Sequence, residues 1–232
     1  MNQMKTAAFA ALIAAMSALP ALADEGKIVV TGEGRVDSAP DLATISVGVS
    51  TQAATAAEAL SANNAKLATV LERLKTSGVE GRDLQTSGLS LGPRIEYNSA
   101  TNQPKVVNYE ASNMLTVRVR ELSALGTILD QTVADGANVF NGLEFSLADP
   151  QPALDEARKL AVKDARRKAE MMAEAAGVKL GKLMTLDEGG RDRPVPMMRM
   201  QAVAASAEAV PVAEGEVSYT VSVTAVWEIK EN

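Results

Sequence analysis

The chain has 232 residues, with 23 Lys and Arg against 29 Asp and Glu, and it contains no cysteine and no histidine. An acidic balance argues against nucleic acid as the main partner. The two missing residue types remove disulfides, every His-dependent triad, every His general base and every His/Cys zinc site. Aromatic residues make up 3%, too few for the girdles of an outer-membrane barrel.

The first residues, MNQMKTAAFAALIAAMSALPALADEG, read as an export signal. Lys5 is the positive n-region, and Ala7 to Leu19 is apolar but too short to span a bilayer. Pro20 breaks the run, and Ala21-Leu22-Ala23 is an A-x-A cleavage site, so residues 1–23 are removed and the mature chain of 24–232 begins at Asp24. An uncleaved anchor is the alternative, but no stop-transfer pattern follows. Lys5 is the leader's single charge, so its removal takes the net charge from −6 to −7.

Lys27 to Gly34 reads as a short strand. Leu42 to Thr51 alternates, with Ile45, Val47 and Val49 on one face. Thr55-Ala56-Ala57-Glu58 is a capping box that opens a helix to about Ser77, with Ala57, Leu60, Asn64, Leu67, Leu71 and Leu74 at helical spacing and Gly78 as the stop. Leu84 to Tyr97 is a strand, Asn98 to Pro104 a hairpin loop, and Lys105 to Arg120 the returning strand. In that strand Leu115, Val117 and Val119 point inward and Thr116, Arg118 and Arg120 outward.

A second helix from about Leu122 to Ala134 rests on Leu122, Leu125, Leu129 and Val133, and Gly136 ends it. Asn138 to Ala148 is a strand with Leu143, Phe145 and Leu147 on one face. The long helix, about Gln151 to Ala176, closes at Gly177. Leu154, Ala157, Ala161, Ala165, Ala169, Met172 and Ala176 line one of its faces, and Asp155–Lys159 and Asp164–Lys168 are i,i+4 ion pairs in the favourable order. Lys182 to Asp187 is a short strand. Residues 189–215, rich in Pro, Met and Ala, form an excursion outside the core. The last strand, Glu216 to Ile229, places Val217, Tyr219, Val221, Val223, Ala225, Trp227 and Ile229 on one face. Mixed hairpins and helices without strict βαβ alternation give an α+β class, with antiparallel or mixed sheets and the helices packed on one side.

Three motifs invite chemistry. Gly88-Leu89-Ser90-Leu91-Gly92 matches the G-x-S-x-G nucleophile elbow, which needs a strand-to-helix turn and a base. Here the serine sits in an extended run, and only a Ser/Lys hydrolase would remain. Gly32-Glu33-Gly34 begins like a dinucleotide fingerprint, but Asp37 stands at the third glycine and no helix follows. Met197, Met198 and Met200 present soft thioethers suited to Cu(I) and equally suited to adaptable apolar contact. None of these is complete, so no catalytic, cofactor-binding or metal residue is assigned and no cofactor is expected. The basic residues around the long helix, Arg158 to Lys168, read as a solvated face, with an anion or subunit contact as the alternative.

The segments VTGEGRVDSAPDLATISVGV, TAAEALSANNAKLATVLERLKTSGVEGRDLQTSGLSLGP, VNYEASNMLTVRVRELSALGTILDQTVADGAN and EARKLAVKDARRKAEMMAEAAGVKLGKLMTL, with the ending PVAEGEVSYTVSVTAVWEI, resemble the bacterial SIMPL-domain family and its periplasmic immunogenic protein group. The resemblance covers nearly the whole mature chain. It implies one exported α+β domain in the bacterial periplasm, ring- or channel-like homo-oligomers in some members, peripheral association with the envelope or outer membrane, and a link to oxidative or envelope stress. It supplies no catalytic residues. The expected function is therefore that of a non-enzymatic periplasmic homo-oligomer with no nucleic-acid partner and no transmembrane segment in the mature chain. A small-ligand or Cu(I)-binding protein and an atypical Ser/Lys hydrolase are the alternatives.

Overall fold

The computed structural model describes residues 26–99, 102–189 and 212–230. The leader, nearly all of the 189–215 excursion and the Met197, Met198 and Met200 cluster lie outside the described residues. Ten elements follow in the order read from the sequence: β1 (Lys27–Ser38), β2 (Leu42–Ala53), α1 (Ala56–Thr76), β3 (Leu84–Tyr97), β4 (Pro104–Val119), α2 (Leu125–Ala134), β5 (Val139–Ser146), α3 (Gln151–Ala175), β6 (Lys179–Glu188) and β7 (Val217–Lys230). The class is α+β, and every strand pair is antiparallel.

The strands form two sheets, one ordered β1-β7-β6 and one ordered β3-β4-β2-β5. Helix α1 starts where the capping box predicts. The Thr55 hydroxyl accepts the Glu58 N–H, and the Glu58 carboxylate accepts the Thr55 N–H. It lies on β2 and β4, and with α2 it encloses a core that includes Ile45, Val47, Leu74, Leu115, Val117, Leu125 and Phe145. Helix α3 covers β1 and β7, where Ile28, Val30, Val221, Val223, Ala225 and Trp227 meet its alanines. The layers join at the start of β7, where Val217 and Tyr219 enter the first core and the Tyr219 hydroxyl accepts the Leu147 N–H at 2.9 Å.

Each helix buries part of the face read in the sequence, including Leu67 and Leu74 of α1, Leu125 of α2 and Ala157, Ala161, Ala165 and Ala169 of α3, and departs from it elsewhere. In α1 the buried line is Ala59, Asn63, Leu67, Val70 and Leu74, while Ala57 and Asn64 are exposed. Asn63 takes the inward position because its side-chain amide donates to the Val49 carbonyl at 2.7 Å and the Ala111 carbonyl at 2.9 Å. In α2, Ile128 and Thr132 are buried beside Leu125, and Val133 is exposed. Leu122 belongs to a separate 3-10 turn.

In α3 the buried residues are Ala153, Ala157, Ala161, Ala165, Ala169 and Ala173. Met172 is exposed, and so is Ala176. A strict four-residue repeat advances about 40° per step around a helix of 3.6 residues per turn. The stripe therefore winds along α3, starting in the first core at Ala153 and continuing in the second from Ala157. The ion pairs also shift. Asp164–Lys168 forms at 2.7 Å, but Asp155 bonds Arg158 and Lys159 bonds Glu156.

Candidate functional site

Ser90 lies in mid-strand on β3, opposite Ser112 of β4. It has neither the sharp turn nor the following helix that a nucleophile elbow requires. Gly32 and Gly34 face the backbone of α3. A Cβ on Gly34 would fall on the Ala157 carbonyl oxygen and the Ala161 nitrogen, and within 2.9 Å of the Leu160 Cβ. One on Gly32 would fall on the Ala161 oxygen and the Ala165 nitrogen, and 2.6 Å from the Ala165 Cβ. The fingerprint-like glycines thus serve helix-on-strand contact, and the alanine stripe supplies the other half of the fit.

Beside that seam a shallow groove of about 570 Å³ is lined by Glu33, Arg35, Leu160, Lys163, Asp164, Arg166, Arg167 and Glu170. Two of its three carboxylates are committed. Glu170 takes Arg166 at 2.8 Å, and Asp164 takes Arg167 at 2.6 Å and Lys168 at 2.7 Å. Asp164 also accepts the backbone N–H of Glu33 at 3.1 Å, while Lys168 donates to the Thr31 carbonyl at 2.9 Å. Lys168, Arg167 and the Glu33 amide together hold the Asp164 carboxyl far below the usual carboxylate range. These two side chains occupy backbone groups of β1 that would otherwise face an incoming strand, so the middle of this edge of the β1-β7-β6 sheet is blocked.

A second charged cluster surrounds Asp83, in the turn before β3. Its side chain is 2% exposed. Arg120 grips it through two nitrogens at 2.8 and 3.0 Å, and Arg118 approaches to 3.3 Å. The bond from Arg120, followed by the charges of Arg120, Arg118 and Arg82, lowers the Asp83 pKa against the opposing cost of burial. Arg118 and Arg120, read from the sequence as pointing outward, are thus the anchors of this carboxylate. Nothing local in the sequence marks Asp83, although two arginines on one side of the chain, Arg118 and Arg120, call for a counter-charge.

Because the folded protein binds the Asp83 proton less readily than the unfolded chain, the stabilisation is complete above the ordinary carboxylate value of about 4. It is lost as pH falls through the lower folded value. Asp83→Asn should cost about 2 kcal/mol at pH 7 and should lose less stability than the parent between neutral pH and pH about 3. Urea unfolding at the two pH values measures both effects.

Among the described residues no group of three or more His, Cys, Asp or Glu is placed to hold a metal ion, and no helix is long and apolar enough to cross a membrane. The β3–β4 hairpin exposes a set of apolar side chains, with Leu89, Leu91, Ile95, Tyr97, Val106 and Val107 all reaching solvent. Cross-strand pairing puts Leu89 beside Asn113 and Leu91 beside Ala111. Asn113 and Ala111 are buried in the same β4 face as Leu115, so both leucines continue the α1-side face of the sheet.

The comparisons with known proteins agree with this architecture. The SIMPL family, described as a protein of unknown function (DUF541), matches residues 28–227. The 26 kDa periplasmic immunogenic protein of Brucella melitensis is 42% identical over 235 residues, covering 94% of this chain and 93% of its own. The uncharacterized protein YggE of Edwardsiella ictaluri is 31% identical, covering 82% of this chain and 80% of its own. YggE of Escherichia coli is 29% identical, with 84% and 77% covered. With the α+β fold in place and the match running from β1 to β7, the chain belongs to the SIMPL family.

Proposed function

We propose that this is a non-enzymatic protein of the bacterial periplasm that works as a homo-oligomer. The observation that carries this reading is the β3–β4 hairpin, whose apolar side chains have no cover within the described chain. Contiguous exposed apolar surface of this kind marks an interaction site. The periplasmic name of the Brucella relative and the signal-like residues 1–23 support export. The committed carboxylates and the absence of histidine and cysteine support a role in binding and assembly. Residues 24–232 form one domain in this reading, with 189–215 as a second contact region. Tolerance of oxidative or envelope stress belongs to it through family resemblance, as does peripheral association with the envelope.

One preparation tests the core of the proposal. Protein recovered from the periplasmic fraction should have the intact mass of a chain beginning at Asp24. Light scattering should give a multiple of that mass at micromolar concentration. A monomer would make assembly wrong, and retention of Lys5 would make cleavage wrong.

A further inference from the structure

The β3 edge carries a feature that neither catalysis nor the fold accounts for. Gly88-Leu89-Ser90-Leu91-Gly92 reads the same in both directions. A palindrome has no meaning along a single strand. It does have one when a strand pairs antiparallel with its own copy, because a two-fold axis at Ser90 sets residue n against residue 180 − n of the partner. Ser90 then faces Ser90, Leu89 faces Leu91, and Gly88 faces Gly92. The geometry points to β3 as an isologous, antiparallel interface between two copies of this chain, centred on Ser90 and joining two four-stranded sheets into one of eight. This rests on the assembly reading above and names the surface that performs it.

Four observations support the second copy as the occupant. First, neither glycine is required by close packing within the described chain. A Cβ at Gly92 would meet nothing within 4 Å, one at Gly88 would make only ordinary contacts from 3.7 Å, and neither residue has positive φ. A strand glycine often marks a bulge or close approach by another backbone; Gly88 adjoins the register shift after Thr86, whereas Gly92 lies clear of both shifts. Second, Leu89 and Leu91 are 64% and 44% exposed although they point to the α1 side, and the two-fold brings four such leucines together.

Third, the strand is regular where it needs to be. Its register shifts lie between Thr86 and Gly88 and between Arg94 and Ile95, leaving Gly88 to Arg94 in unbroken register with β4. Residues 88–93 carry no charge, and Arg94 faces Thr86 of the partner, so no like charges oppose. Fourth, the other edges are less suited. The middle of the β1 edge is occupied by Asp164 and Lys168, the two register shifts of β6 leave no unbroken stretch longer than Thr185 to Glu188, and β5 has only 8 residues. The paired strands would bury on the order of 1,000 Å², near the lower end of specific interfaces. The pairing is therefore concentration-dependent unless further contacts reinforce it.

A chain without cysteine makes the test direct. Ser90→Cys in the full mature protein should form a covalent dimer under mild oxidation or with a short thiol cross-linker. Directly opposed cross-strand Cβ atoms lie about 4.5–5.5 Å apart, and closer in non-hydrogen-bonded pairs. Held opposite its twin at an effective concentration of about millimolar, that thiol should react at least about tenfold faster than one at exposed Ser61 on α1. Leu89→Cys and Leu91→Cys should each cross-link poorly alone and well when mixed, which only the antiparallel two-fold predicts. Equal reaction of Ser90→Cys and Ser61→Cys in a sample that scatters as an oligomer would overturn the β3 interface and leave assembly standing. A monomer by light scattering, with no cross-link, would overturn both.

Discussion

Gly34→Ala is expected to destabilise the protein by at least about 3 kcal/mol, because the added methyl overpacks a contact that cannot yield. The atoms it strikes are the Ala157 carbonyl oxygen and the Ala161 amide nitrogen. Both are helix backbone, so trimming a neighbouring side chain gives no relief. Either α3 lifts from β1 along its length or β1 bends away from β7. Each kcal/mol lowers the melting temperature by roughly 2–4 °C in a chain of this size, so thermal unfolding should shift by about 6–12 °C. Gly32→Ala should behave alike. Gly81→Ala is the control, since a Cβ there meets nothing within 4 Å, and its midpoint should stay within a degree or two of the parent, as surface changes do. A Gly34→Ala protein that melts with the parent would mean that α3 does not pack on β1 as described.

The second large effect is expected at Asn63, where one atom decides the outcome. Asn63 is fully buried, and its amide nitrogen serves two carbonyl oxygens. Asn63→Asp preserves shape but sets a carboxylate against those oxygens, with no cation beside it. An uncompensated buried charge costs roughly 3–5 kcal/mol. The group relieves the strain by holding its proton, so its folded pKa rises above the unfolded value, and stability recovers as pH falls through that raised value. Asp83 and Asp164, whose values are lowered, weaken the variant and its parent alike in acid, so the gap between the two reports position 63 alone. Urea midpoints measured from pH 7 to pH 4 should therefore converge for the variant and its parent. Asn63→Leu should be destabilised with no such recovery. A variant that stays equally far below its parent at every pH would rule out a buried carboxylate at this position.

Much of the fold was legible because strand periodicity and caps are local. The alternation of β2 and β7 and the Thr55 capping box each come from neighbouring residues. Strand order was not legible, since nothing local says that β7 lies between β1 and β6. The helix faces were read too greedily for leucine and methionine. The position of Asn63 is set by carbonyls on β2 and β4, and the α3 stripe is set by glycines more than a hundred residues earlier. Gly32 and Gly34 looked like a weakened nucleotide motif until the helix above them was known. Ser90 was correctly read as extended, but the symmetry of its surroundings gains meaning only when β3 is seen to be an edge.

The pairing of the first strand with the last also governs how the molecule is made. Lys27 lies opposite Glu228, and Ser38 opposite Val217, so the sheet under α3 joins segments far apart in sequence. Contacts of such separation pay their loop-closure entropy late and slow folding. During synthesis or threading through a pore, β1 emerges early and must wait for β7. The β2–β5 sheet with α1 can assemble first from nearby segments. Until β7 arrives, β1 has no neighbouring strand to hold it beneath α3, and a chain cut short before Val217 leaves that seam without the strand it pairs with. Synthesis of β7 is in this way a condition for closing the second core.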